Sequence, residues 1–176
     1  MSNSIIRYAT PADNALLAEL GAQTFAAAFA ADIAPEPMRA YLAAAFHPAQ
    51  QARELADPGA CALIAEHDDG AVGYAQLRFG AALDGVHSRT PVELVRLYLQ
   101  QQWIGRGVGA HLMQACLTEA ESAGCDLIWL GVWEHNPRAI GFYRKWGFRQ
   151  VGAQRFQLGA ELQTDLVMAR QVASNG

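Results

Sequence analysis

Three cysteines in 176 residues, Cys61, Cys116 and Cys125, leave little room for a covalent or metallic scaffold. Their number is odd and no pair has CxxC spacing, which argues against a structural disulfide or a zinc site. His47, His67, His87 and His111 share no ligand spacing either, so the expectation is no metal, with histidines that pack or face solvent. No apolar run reaches membrane-spanning length, and the alanine-rich stretch AAAFAA at 26–31 stops at Asp32. MSNSIIRYATPADN lacks a basic segment followed by an apolar one, so no secretory signal is expected and a cytoplasmic protein with reduced thiols is. Positive charge is the scarcer sign, with 13 Lys and Arg against 17 Asp and Glu and a net charge of −4. That balance argues against general binding to nucleic acid or to an anionic membrane. Internal repeats, low-complexity tracts and linkers are also missing, and so is the GxxxxGK[ST] of a P-loop.

What is present is a hydrophobic fraction of 52% with 17% charged residues, enough to bury a core as one domain over 1–176. SIIRYA at 4–9 reads as a strand. Thr10 and Pro11 then open a helix as N-cap and first helical residue. Further helices are expected over 37–46 and 48–56. CALIAEHDDGAVGYAQLRFG at 61–80 reads as a hairpin about Asp68-Asp69-Gly70. A loop follows at 81–91, then a strand at 92–99, a helix over about 107–123, and a strand at 126–133 buried on both faces. Asn136 and Pro137 open the clearest helix, which Gly147 stops. The remainder, 148–170, reads as two strands about Gly159-Ala160. The fold class is therefore α/β, a central sheet with helices on both faces and a right-handed β-α-β unit at 92–133.

IGRGVGAHLM at 104–113 sets Gly105, Gly107 and Gly109 at every second position of a strand-to-helix junction. A helix start offers unpaired N–H groups and the positive end of a dipole, and glycines let an anion approach that backbone. The plainer reading is a turn that only packs helix on strand. GRGVGA formally fits the dinucleotide fingerprint, but QQQWI separates it from the preceding strand and the further βα units are missing.

VELVRLYLQQQWIGRGVGAHLM resembles the acetyl-CoA-binding segment of GNAT acetyltransferases, [QR]-x-x-G-x-[GA], with Gly107 and Gly109 in register and Ile104 where Gln or Arg is usual. NPRAIGFYRKWGF at 136–148 resembles the same family's N-x-x-A-x-x-F-Y-x-[KR]-x-G-F, and the element order over 1–170 agrees. The resemblance implies a single-domain, mostly antiparallel sheet with a splayed parallel pair at 92–99 and 126–133. It implies acetyl-CoA as co-substrate, with its diphosphate on the N–H groups of Gly105, Arg106, Gly107, Val108, Gly109 and Ala110, and with Ile104 among the cofactor-binding residues. The pantetheine arm would run along Leu97, Tyr98 and Leu99, near Asn136 and Tyr143.

Acyl transfer from a thioester to an amine needs a neutral amine, a donor for the carbonyl oxygen and an acid for the departing sulfur. The resemblance gives the donor as the Leu97 N–H and the acid as Tyr143, and it offers Glu93 as base. Spacing alone leaves Tyr143 a core aromatic beside Phe142 and Trp146, Glu93 a solvated charge and Asn136 a helix cap. Glu134, His135 or a water are the other candidates for the base. The expected reaction is acetylation of a primary amine, such as a polyamine, by direct attack in a ternary complex, with a small-molecule acceptor and a homodimer left open. Asp32, Glu36, Glu93 and Glu134 offer negative charge to a cationic acceptor. A peptide or protein acetyltransferase and a non-catalytic acyl-CoA sensor are the alternatives.

Overall fold

The computed structural model describes residues 4–68, 70–158 and 160–173. The helices are α1 (Asn14–Phe29), α2 (Pro35–Ala45), α3 (Pro48–Ala56), α4 (Val108–Ser122) and α5 (Pro137–Lys145). The strands are β1 (Ile5–Tyr8), β2 (Ala60–His67), β3 (Gly70–Phe79), β4 (Pro91–Leu99), β5 (Leu127–Trp133), β6 (Arg149–Leu158) and β7 (Glu161–Gln171). They hydrogen-bond in the order β1-β2-β3-β4-β5-β7-β6, a mixed sheet in which β4 and β5 run parallel. Asp69 and Gly159, the expected centres of two turns, lie outside the described residues.

The chain divides into two compact units. One holds the residues up to Leu77 together with Arg96–Cys116; the other holds Arg78–Val95 and everything from Leu117 onward. In the first, Leu17 and Leu20 of α1 bury against Ala62, Ile64 and Tyr74 of the hairpin. Gly21 sits in the middle of α1 because a Cβ there would stand 2.5 Å from the Phe46 ring and 2.6 Å from the Tyr74 hydroxyl. The sequence expectation of a helix starting at Pro11 needs amendment. Pro11–Asp13 form a 3-10 turn, and α1 begins only at Asn14. Asp13 takes the Thr10 N–H at 2.8 Å and the Arg7 guanidinium at 2.9 Å, which ties the turn to β1 and holds the Asp13 carboxyl below its ordinary range. α2 begins at Pro35, two residues earlier than expected, with Pro35 in the first helical turn, where a missing N–H costs nothing.

Hairpin strand β3 and β4 do not keep one register. Gly80 donates to Pro91 O at 2.8 Å, whereas Gln100 donates to Val72 O at 2.9 Å, a pairing displaced by one residue. The side chains repeat the slip: Arg78 pairs with Glu93, but Gln76 meets Arg96. β4 therefore carries one extra residue between Glu93 and Arg96, a bulge that turns the strand and frees backbone groups from the ladder.

In the second unit the β4–β5 ladder runs from Pro91↔Leu127 to Glu93↔Trp129, while β5 continues to Trp133. On its other side β5 pairs with β7 over its whole length, from Leu127↔Gln171 to Trp133↔Asp165. β5 starts one residue later than expected because Asp126 is used as a clamp. Its carboxylate accepts the Ser88 hydroxyl, the Arg89 N–H at 2.9 Å and the Thr90 N–H at 3.2 Å, and these bonds lower its pKa to about 2. Loop 81–90 is fastened at the other end by Trp129, whose Nε1 donates to Ala81 O at 2.9 Å.

Candidate active site

In the first unit, the turn before α4 explains two of the three glycines directly. Gly105 has φ +80° and Gly107 φ +87°, the left-handed region that costs a side-chain-bearing residue roughly 1–2 kcal/mol. A Cβ at either would meet nothing within 4 Å, so the space above both is open. His111 N–H donates to Gly107 O at 3.1 Å, which makes Gly107 the residue where α4 begins. The N–H groups of Val108, Gly109 and Ala110 precede that first intrahelical donor and point out of the helix start. Arg106 lies with its guanidinium carbon 5.6 Å from the Trp103 ring centre, and Trp103 also packs on His67 at 4.5 Å. The turn is thus a bare backbone arch with a cation beside it, a donor set suited to a diphosphate.

The last residues of β4 lead into this turn. Gly73 lets them lie close to β3, since a Cβ there would stand 2.4 Å from the Leu99 side chain and 2.7 Å from Tyr98 O. Tyr98 turns its ring into an aromatic cluster, 5.8 Å from Tyr74 and 6.4 Å from both Phe25 and Phe46. Phe25 also packs on Tyr41 at 4.6 Å and on Phe29 at 4.6 Å. Beneath the cluster Arg96 donates to Glu54 at 2.6 Å and to Gln76 at 2.7 Å, with its guanidinium 5.1 Å from the Phe46 ring centre. No sequence signal announces this network, because Glu54, Gln76 and Arg96 are far apart in the chain and share no motif.

The second unit carries the acid and base candidates. Asn136 caps α5, its side chain accepting the Ala139 N–H at 3.2 Å. Tyr143 is 9% exposed and packs edge-on to Phe142 at 5.5 Å and Phe148 at 5.7 Å, so the core reading of its ring holds whatever its hydroxyl does. The base candidates separate. Glu93 sits opposite Trp129 and accepts Arg78 Nε at 3.1 Å. Glu134 lies five residues beyond Trp129, roughly 16 Å along the strand at ~3.3 Å per residue, and is exposed beside His135 at 3.4 Å. Glu93 and the Glu134–His135 pair therefore stand at different points along β5. Among the described residues no cluster of His, Cys, Asp and Glu is arranged to hold a metal, and no helix is long and apolar enough to cross a membrane.

A parallel strand pair with a short ladder, followed by an open glycine turn at a helix start, is the arrangement that the resemblance to acetyltransferases implies. The model of the acetyltransferase (GNAT) family matches residues 26–148, and the chain belongs to that family. It is 39% identical over 156 residues to an uncharacterized N-acetyltransferase of Mycobacterium tuberculosis, covering 89% of this chain and 96% of that protein. It is also 29% identical over 86 residues, 48% of this chain and 57% of the other, to a spermine/spermidine N(1)-acetyltransferase of Bacillus subtilis. Among solved structures it is similar to the PaiA N-acetyltransferase of Thermoplasma acidophilum in complex with coenzyme A. That match has a TM-score of 0.77 at 19% identity over 96% of this chain and 99% of that one. Another is yncA of Salmonella typhimurium with its cofactor acetyl-CoA, at a TM-score of 0.67 and 25% identity over 99% and 97%.

Proposed function

We propose that this enzyme transfers the acetyl group of acetyl-CoA to a primary amine of a small molecule by direct attack in a ternary complex. The observation that carries the reading is the arch at 105–110, where two left-handed glycines leave open space above a helix start whose first N–H groups precede its own hydrogen bonding. A diphosphate is the anion that such a donor set suits. Bound acetyl-CoA supplies the activated acyl group. The chain's own residues do the rest. The backbone of Leu97 to Leu99, past the β4 bulge, pairs with the pantetheine amides, and the Leu97 N–H holds the thioester oxygen as it gains charge. The amine nitrogen bonds to the carbonyl carbon, the C–S bond breaks, and the Tyr143 hydroxyl delivers a proton to the sulfur. The proton lost by the amine leaves through Glu93, through Glu134 with His135, or through water. The spermine/spermidine acetyltransferase among the relatives supports a small cationic acceptor.

Two measurements test this reading. Calorimetric titration with acetyl-CoA is expected to show a single binding event, and no heat would sink the proposal. A thiol-release assay across a panel of mono-, di- and polyamines, with an N-terminal peptide alongside, is expected to show turnover on free amines. Turnover on the peptide alone would move the acceptor to proteins. Tight CoA binding with no turnover on any amine would leave a sensor.

A further inference from the structure

The second unit contains a carboxylate that nothing in its surroundings uses. Asp165 lies on β7, half-buried, and among the described residues its oxygens accept no hydrogen bond and enter no ion pair. A half-buried carboxylate without a partner carries a desolvation cost, which is why burial pushes its pKa up. In a strand selected for packing alone such a residue is readily replaced.

Its neighbourhood is built around missing side chains. Asp165 stands in a cross-strand row with Trp133 of β5 and Gln154 of β6. The next row on the same face is Gly131, Val167 and Gly152. Gly131 is exposed, although the strand residues on either side of it are buried. A Cβ at Gly131 would stand 2.8 Å from the Gln154 amide nitrogen and 3.2 Å from Asp165 Oδ2, so both polar ends lean over its bare backbone. A Cβ at Gly152 would meet nothing within 4 Å. Glycine inside a paired strand weakens it and often marks a close approach by a ligand. Trp133 borders the row, its Nε1 held by Gln163 at 2.9 Å, which fixes the indole in place.

We propose that Asp165, with Gln154 and the open backbone at Gly131, seats a protonated nitrogen of the acceptor, and so selects di- and polyamines over monoamines. The proposal rests on the acetyltransferase reading above and adds the acceptor's recognition residue to it. A carboxylate with free lone pairs suits an ammonium, whose three donors need acceptors, and the edge of an indole adds apolar surface for the alkyl chain. A monoamine has one nitrogen only, and when that nitrogen stands neutral at the thioester its alkyl end is all that is left to place beside the carboxylate.

The probes are 1,4-diaminobutane and n-butylamine, titrated calorimetrically into the wild type and into Asp165→Asn, with and without saturating CoA. The diamine is expected to bind the wild type at least tenfold more tightly than the monoamine, and Asp165→Asn is expected to erase that difference. In turnover, Asp165→Asn should raise KM for the diamine about tenfold, at about 1.4 kcal/mol per factor of ten, while kcat and the acetyl-CoA KM stay within twofold. Asp165→Glu should keep part of the preference. Thermal melting separates a merely structural role: removing an unpartnered carboxylate leaves the melting temperature equal or higher, whereas losing a structural contact lowers it. Equal binding of the two amines by the wild type would overturn the proposal. So would a preference that survives in Asp165→Asn. If CoA itself fails to bind while the diamine preference stands, it is the acetyltransferase reading that falls and not the seat.

Discussion

Two helices of this molecule begin in opposite ways. α5 starts on Asn136 and Pro137, so one orphan N–H is met by the chain's own side chain and another does not exist. α4 starts just past Gly107, the second of two left-handed glycines, and a side chain at either glycine would meet only open space. The first start is finished by the sequence that makes it. The second is left for something from outside to complete, at a cost in backbone entropy that a purely structural helix start does not carry. Under the proposed function the contrast divides the work: α5 would be a rigid mount for a side chain, and α4 a donor array made of backbone.

Four changes sharpen or break that contrast. Tyr143→Phe removes the group that α5 is proposed to carry and leaves the ring packed. It is expected to lower kcat about 100-fold with the acetyl-CoA Kd within twofold, read by steady-state kinetics and calorimetry. Unchanged turnover would reduce α5 to scaffold. Gly107→Ala strains a left-handed position and places a methyl group in the arch. It is expected to raise the acetyl-CoA Kd at least tenfold and to lower stability by roughly 1 kcal/mol. Asn136→Ala does the reverse, lowering stability by about 1 kcal/mol in denaturant melts with little change in the Kd, and Asn136→Asp restores the cap. The smallest effect falls on Asp126, which meets the N–H groups of Arg89 and Thr90 as a cap does. Its pKa in the folded chain is about 2, below its ordinary value of 3.8, so its stabilisation is complete above pH ~4 and is lost as pH falls toward 2. Asp126→Asn is therefore expected to destabilise slightly at pH 7 and not at pH 2, in paired denaturation curves.

Most of the architecture was legible because its signals are local. The alternation in 61–80, the apolar run of β5 and the Asn-Pro start with its glycine stop each specify an element without reference to the rest of the chain. The arch was legible for the same reason, since a left-handed turn needs glycine wherever it occurs. Two of the three glycines proved to be there for φ, while Gly109 lies within α4. The features that escaped are those built across distance. Arg96 with Glu54 and Gln76 joins β4 to α3 and β3, and nothing near any one of these residues announces the other two. The bulge in β4 is invisible in VELVRLYL because it exists only against β3. Nothing in QTDLVM marks Asp165, because its setting is made by β5 and β6 as well as by its own strand.

The notch at Gly21 makes room for a buried hydroxyl. The Tyr74 oxygen is sealed from solvent and has no hydrogen-bond partner among the described residues, a state that costs a buried polar group about 1–3 kcal/mol. Trading that tyrosine for phenylalanine keeps the ring and discards the penalty. The protein thus holds an unspent reserve of thermal robustness at a single atom, which an engineer seeking a hardier catalyst can claim without touching either helix start.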